Sequence, residues 1–134
     1  MSVELLAPAG SYSKFLTALN FGADAVYLGG KQFSLRTFAD NFTQEELQKA
    51  VALAHEKGKK VYVAANIFAR NADFNALEGY LQELEKIGVD AVIVSDPGMI
   101  YFVKTVAPSL AIHLSTQANT TKKYSVKFWN EQGV

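Results

Sequence analysis

A seven-residue pattern occurs twice in this chain, and its spacing limits what the chain can fold into. Gly22-Ala23-Asp24-Ala25-Val26-Tyr27-Leu28 matches Gly88-Val89-Asp90-Ala91-Val92-Ile93-Val94, 66 residues further on. In each copy a glycine stands where a helix C-terminal glycine belongs, and a short apolar run follows it. Each copy marks the same event, a helix that stops and turns into a buried strand. The interval corresponds to two strand–helix units of 33 residues.

The rest of the chain parses in the same way. Val3–Leu6 reads as a first strand, Ala7–Gly10 as a turn, and Ser11 or Ser13 as the cap of a helix running to about Phe21. Ala25–Leu28 is the second strand, and a long loop follows to Phe42. Thr43-Gln44-Glu45-Glu46 has the form of a capping box, and Leu47, Ala50, Val51 and Ala54 follow at helical spacing. Gly58 stops that helix, and Lys60–Ala65 is the third strand. Asp73 is placed to cap a helix bearing Leu77, Leu81, Leu84 and Ile87. Ala91–Val94 is the fourth strand, and Asp96-Pro97 opens the fourth helix with proline at its first position. Ala111–Ser115 is the fifth strand, and Ser125–Gln132 the last helix, stopped by Gly133.

Strands separated by helices must be parallel, because each crossover returns the chain to the same end of the sheet. The runs are short and nearly all apolar, as strands covered on both faces should be. Two architectures fit: a doubly wound open sheet, or part of an eight-unit barrel. No Gly-x-Gly-x-x-Gly follows the first strand, and the repeat favours the barrel. The expected fold class is α/β, a partial parallel (βα) barrel of the TIM type with about five units. Gly133-Val134 reads as a helix stop and the first residue of a sixth strand. Residues 1–134 are therefore expected to be the N-terminal part of a barrel domain that stops before closure.

Bulk properties narrow the function classes. Apolar residues make up 49% of the chain, enough for a core. Lysine plus arginine equals aspartate plus glutamate at 13 each, so there is no general pull toward nucleic acid or membrane, although a local basic patch is allowed. With no cysteine, disulfides, zinc thiolate sites and iron–sulfur ligation are excluded within these residues. The start of the sequence lacks the pattern of a secretion signal, and no apolar run approaches a membrane span. A cytoplasmic protein with no membrane partner is expected.

Parallel α/β folds carry their sites at the C-terminal ends of the strands. That rule selects Arg36 in the second loop, Asn66 after strand three, Asp96 after strand four, and His113, Ser115, Gln117 and Asn119 in and after strand five. Alternation puts Ile112 and Leu114 on one face, under helices, and His113, Ser115 and Gln117 on the other, toward the barrel axis. Three polar side chains in a row are costly to bury unless paired or wet, so they form either a substrate-binding wall or a hydrogen-bonded structural network. A Ser–His–Asp hydrolase reading of Ser115, His113 and Asp96 lacks the Gly-x-Ser-x-Gly elbow. Asp96 also serves as a helix cap. His55 reads as a helix C-terminal histidine beside the negative end of the dipole.

The second loop, 14 residues over Gly29–Phe42, combines Lys31 and Arg36 with Phe33, Phe38 and Phe42. It suits a carboxylate, a phosphate or a ring, or else is pinned by its own aromatics. Lys122, Lys123 and Lys127 form a basic cluster whose simplest account is a solvated face.

Several blocks in order resemble one family. They are Glu4-Leu5-Leu6-Ala7-Pro8-Ala9-Gly10, the first copy of the repeat with Gly29, Phe33-Ser34-Leu35-Arg36 with Asn41-Phe42, and Gly58-Lys59-Lys60-Val61-Tyr62-Val63 with Asn66. Ser95-Asp96-Pro97-Gly98, Ile112-His113-Leu114-Ser115-Thr116-Gln117-Ala118-Asn119 and Phe128-Trp129 complete the set. Together they resemble the collagenase-like peptidases of unassigned catalytic type (unassigned family, number 32). The last two blocks are most similar to the branch needed for hydroxylating the wobble uridine of certain transfer RNAs.

The resemblance implies a longer parent whose cysteine motifs, linked in several branches of the family to an iron–sulfur cluster, lie outside this chain. It also implies partners in transfer RNA and a small-molecule hydroxyl donor. It assigns no catalytic residue here, and Arg36, Asn66, Asp96, His113, Ser115, Gln117 and Asn119 are its conspicuous polar positions, expected to bind substrate. The alternatives are a peptidase acting on extended peptides, and an inactive piece that folds and self-associates through the open sheet edges.

Overall fold

The computed structural model describes residues 3–29, 42–66 and 74–134. Within them five strands alternate with five helices. They are β1 (Leu6–Pro8), α1 (Tyr12–Asn20), β2 (Ala25–Gly29), α2 (Gln44–Glu56), β3 (Lys60–Ala64), α3 (Phe74–Ile87), β4 (Ala91–Val94), α4 (Pro97–Val106), β5 (Ile112–Leu114) and α5 (Lys123–Glu131). All neighbouring strands are parallel, and the sheet order β1-β2-β3-β4-β5 follows the chain.

This sequential order decides between the two architectures. A doubly wound sheet reverses its strand order partway and carries helices on both faces. Here every crossover moves one strand along, so all helices fall on one face. That face holds the main core: Val26, Leu28, Val61, Val63, Val92, Val94 and Ile112 from the strands meet Phe15, Leu47, Leu77, Leu81, Leu84, Met99 and Val103 from the helices. The opposite face carries a separate cluster of Ala25, Tyr62 and Ala91 with Tyr27 and Ile93 against it. The result is the wall of a barrel, with β1 and β5 at its edges.

Local chemistry starts and stops the helices largely as expected. Ser11 caps α1 by accepting from the Lys14 N–H, and Asp96 caps α4 by accepting from the Met99 N–H at 2.8 Å. A Cβ at Gly98 would lie 2.9 Å from an Asp96 oxygen, so glycine there leaves room for the cap. Thr43 and Glu46 form the full capping box of α2. Gly22 and Gly88 hold φ of +92° and +87° with nothing within 4 Å of a built Cβ, so what they supply is the left-handed turn rather than space. The next N–H then bonds back five residues, Ala23 to Ala18 and Val89 to Leu84, and the same bond recurs from Lys59 to Ala54 and from Val134 to Trp129.

Some boundaries differ from expectation. β1 lies at Leu6–Pro8 rather than Val3–Leu6, because the Leu5 N–H and C=O are held by Asp24 at the entry to β2. Pro8 is tolerated there because β1 is an edge strand. β5 stops at Leu114, and α5 begins at Lys123, two residues before the expected start. Asp73 lies outside the described residues.

The repeated aspartates explain the repeated motif. The Asp24 carboxylate accepts from the Leu5 N–H at 2.9 Å and from Lys59 Nζ at 3.1 Å. The Asp90 carboxylate takes the Val61 N–H at 2.7 Å and His55 Nε2 at 2.9 Å. Each ties the start of its own strand to the start of the preceding one. The Leu5 N–H, and then Lys59, hold the Asp24 carboxyl below its usual range. A carboxylate with a lowered folded pKa stabilises the fold above its ordinary pKa and loses that contribution as the pH falls through the folded value.

Replacing Asp90 strands the N–H of Val61, a fully buried residue. Asp90→Ala should cost about 1–3 kcal/mol in urea unfolding, and Asp24→Ala, whose Leu5 bond is exposed, should cost less. Equal losses at the two positions would contradict this account.

Candidate functional site

The inner face of the sheet carries polar groups because alternation commits the other set of side chains to the helices. Ile112 and Leu114 join the helix-side core, while His113 lies across the sheet against Tyr62. The two rings meet edge-on, with centroids 4.5 Å apart. Tyr62 is 3% exposed, and its hydroxyl donates to Glu4 Oε1 at 2.6 Å. Lys60 Nζ donates to the other Glu4 oxygen at 3.1 Å. The Tyr62 hydroxyl, then Lys60, hold the Glu4 carboxyl below the usual carboxylate range, and His113 adds to the effect. Burial, reinforced by Glu4, pushes the Tyr62 phenol up. Neither Glu4 nor Tyr62 was singled out as a site residue from sequence. Nothing local marks them, since 58 residues separate the pair and only the sheet register brings them together.

A second polar group stands at the C-terminal ends of the strands. Asn66, just past β3, donates from Nδ2 to Ser115 Oγ at 2.8 Å, across the end of β4. Ser115 is buried, and its Oγ also accepts from the Gln117 N–H at 3.3 Å. Asn66 Oδ1 is buried, with no hydrogen-bond partner among the described residues. Such an acceptor is set to take a donor N–H or O–H from a bound molecule or water. The structure therefore joins two of the expected site residues, Asn66 and Ser115, at the mouth of the barrel wall.

The other candidates are distributed differently. Gln117 does not continue the inner face of β5: the strand ends at Leu114, the chain enters a 3₁₀ turn over Thr116–Ala118, and Gln117 is exposed. The alternation overran the strand because Ser115 caps that turn. Asn119 closes the turn in a left-handed conformation at φ 53°, which asparagine tolerates. The Asp96 carboxylate is used as the helix cap. Arg36, Lys31, Phe33 and Phe38 fall outside the described residues. Phe42 is buried against Phe15, with ring centroids 6.4 Å apart, as packing.

Among the described residues no hydrogen bond links Ser115, His113 and Asp96, whose side chains are engaged with Asn66, Tyr62 and Met99 respectively. A serine nucleophile needs a base within hydrogen-bond reach, and among the described residues none is bonded to Ser115. Also among the described residues, no group of three His, Cys, Asp or Glu is arranged to hold a metal ion. A groove of about 640 Å³ runs along the free edge of β5, lined by Ile112, Leu114, Thr120, Val126, Trp129 and Val134 among others.

The Glu4–Tyr62 bond has a direct spectroscopic consequence. In an NMR titration Glu4 should ionise below the ordinary glutamate value, and Tyr62→Phe should move it upward. An unchanged Glu4 titration in the variant would show that the phenol does not hold the carboxylate.

The sequence profile of Peptidase family U32 matches residues 10–134. The chain is 46% identical to "tRNA hydroxylation protein P1" of Bacillus subtilis (strain 168), over 98% of this chain and 31% of that protein. It is 43% identical to "tRNA hydroxylation protein P" of Escherichia coli (strain K12), over 98% of this chain and 29% of that protein. It thus spans about a third of the length of these curated relatives. The solved structure of the U32 peptidase Mk0906 superposes with a TM-score of 0.74 at 16% identity, covering all of this chain and 58% of that one, which shows a shared fold. With the family profile matched over nearly its whole length, the chain belongs to Peptidase family U32.

Proposed function

We propose that this chain forms the barrel wall of a protein that takes part in hydroxylating a wobble uridine of transfer RNA. The observation that carries the reading is the similarity, over 98% of the chain, to proteins named for tRNA hydroxylation. The mouth of the sheet fits that role: Asn66 and Ser115 place neutral amide and hydroxyl groups there, and groups of this kind suit the edge of a nucleobase. The contribution read here is binding and orientation, with a cytoplasmic location where transfer RNA is found.

An iron–sulfur cluster does not fit this chain, which contains no cysteine to ligate one. Among the described residues the serine peptidase reading has no nucleophile–base pair to rest on. Cells lacking the gene should lose hydroxyuridine-type nucleosides from bulk transfer RNA in mass spectra, and a copy carrying Asn66→Ala should restore them poorly. Unchanged nucleoside spectra in the deletion would reject the reading.

The sheet edges support self-association. The bonds from β5 to β4 leave from Ala111 and Ser115, so the parallel ladder turns the main-chain groups of Ile112 and Leu114 toward the open groove. Such an edge is a template for another strand. Light scattering should give a dimer or higher oligomer, and a clean monomer at tens of micromolar would count against it.

A further inference from the structure

The charges of this chain balance in total but not along its length. Between Asp96 and Glu131 there is no carboxylate, whereas Lys104, Lys122, Lys123 and Lys127 all fall in that stretch. Three of these lysines gather on α5 and the residue that enters it. Lys122 and Lys123 make no ion pair among the described residues. Lys127 reaches only Glu131, at 3.9 Å and with both side chains well exposed, a contact of little strength.

The same helix packs Trp129 against the core and also carries exposed rings. Its Tyr124 is 79% exposed and its Phe128 53%. Helical spacing stacks Lys123 over Lys127 and Tyr124 over Phe128 in adjoining rows, so cations and rings share one outward face. Val126 and Trp129 face the β5 groove, and the Phe128 ring meets Trp129 edge-on with centroids 5.1 Å apart, which leaves Tyr124 the freer of the two outward rings. Because α5 starts just after the C-terminal end of β5, Lys122, Lys123 and Tyr124 stand at the same end of the sheet as Asn66 and Ser115.

A partner for this face must satisfy two demands at once. An apolar helix would cover the rings but leave the lysines without counter-charge. A polynucleotide supplies both a row of phosphates and bases able to stack on exposed rings. We infer that the outward face of α5, with Lys122, Lys123, Lys127, Tyr124 and Phe128, binds an RNA strand and holds it against the mouth where Asn66 and Ser115 stand. This rests on the RNA reading above and adds the surface that would do the holding.

The test is fluorescence anisotropy of a labelled transfer RNA and its anticodon stem–loop with this chain at several salt concentrations. Two multiple variants are compared with the unsubstituted chain: Lys122→Gln with Lys123→Gln and Lys127→Gln, and Tyr124→Ala with Phe128→Ala. All five positions are exposed, so thermal melting monitored by circular dichroism should be nearly unchanged. The lysine variant should bind at least about tenfold more weakly at low salt, and its log K against log salt slope should fall by about two. The ring variant should weaken binding about fivefold or more with the slope retained. RNA binding that is unchanged in both variants overturns this surface while leaving the RNA reading intact. Absence of RNA binding by the unsubstituted chain overturns the surface too, and the nucleoside spectra decide the wider reading separately. Equal binding to phosphatidylglycerol vesicles, with the same lysine dependence and no effect of the rings, would reduce the face to a general polyanion contact and reject the proposal. A large drop in melting temperature for the ring variant would show that the aromatics serve packing, and would also reject it.

Discussion

Burial of four helices against one face of a parallel sheet is the constraint from which the other features follow. Each strand commits alternate residues to that layer: Val26 and Leu28, Val61 and Val63, Val92 and Val94. They meet fully buried helix residues such as Phe15, Leu77, Leu81, Leu84 and Val103. Each such side chain contributes on the order of 1.5–3 kcal/mol against the entropy of ordering the chain. Since a strand alternates its side chains, the residues left over must face the other way. Tyr62, Asn66, His113 and Ser115 belong to that second set, and the groups that can meet a ligand are there because the first set is needed elsewhere.

The two ends of the sheet do different work. At the N-terminal end, Asp24 and Asp90 tie neighbouring strand starts together through backbone N–H groups, and Lys59 and His55 stand beside them. Glu4, Tyr62 and Lys60 form a further bonded group near that end. At the C-terminal end the strands run out into Asn66, Asp96 and Ser115, where one carboxylate caps a helix and one amide donates to a serine hydroxyl. Stability at one end and the polar groups of a site at the other is the usual division of labour in barrel walls.

Asp96 and Ser115 show how one residue type serves structure and site together. Both sit where a strand becomes a helical turn, and both side chains accept from the N–H groups that open the turn. Ser115 additionally receives Asn66, so its hydroxyl is already the meeting point of two elements. Replacing either residue would disturb a cap as well as a surface, and loss of function at these positions has to be separated from loss of the turn.

The helix boundaries were legible in the sequence because their causes are local. A capping box at Thr43–Glu46, a proline after Asp96, and a glycine before each of β2, β3 and β4 act through bonds within one turn of the chain. The parallel arrangement was legible for the same reason, since helix-length crossovers admit no other. The choice between an open doubly wound sheet and a barrel wall was not local, and the sequential order β1 to β5 decided it. Nor could spacing bring Glu4 to Tyr62 or Asn66 to Ser115, pairs 58 and 49 residues apart, or stop β5 short of Gln117. By itself the sequence determined where elements begin, end and turn. Only the tertiary structure decided which polar side chains meet, because that depends on the register and order of strands distant along the chain.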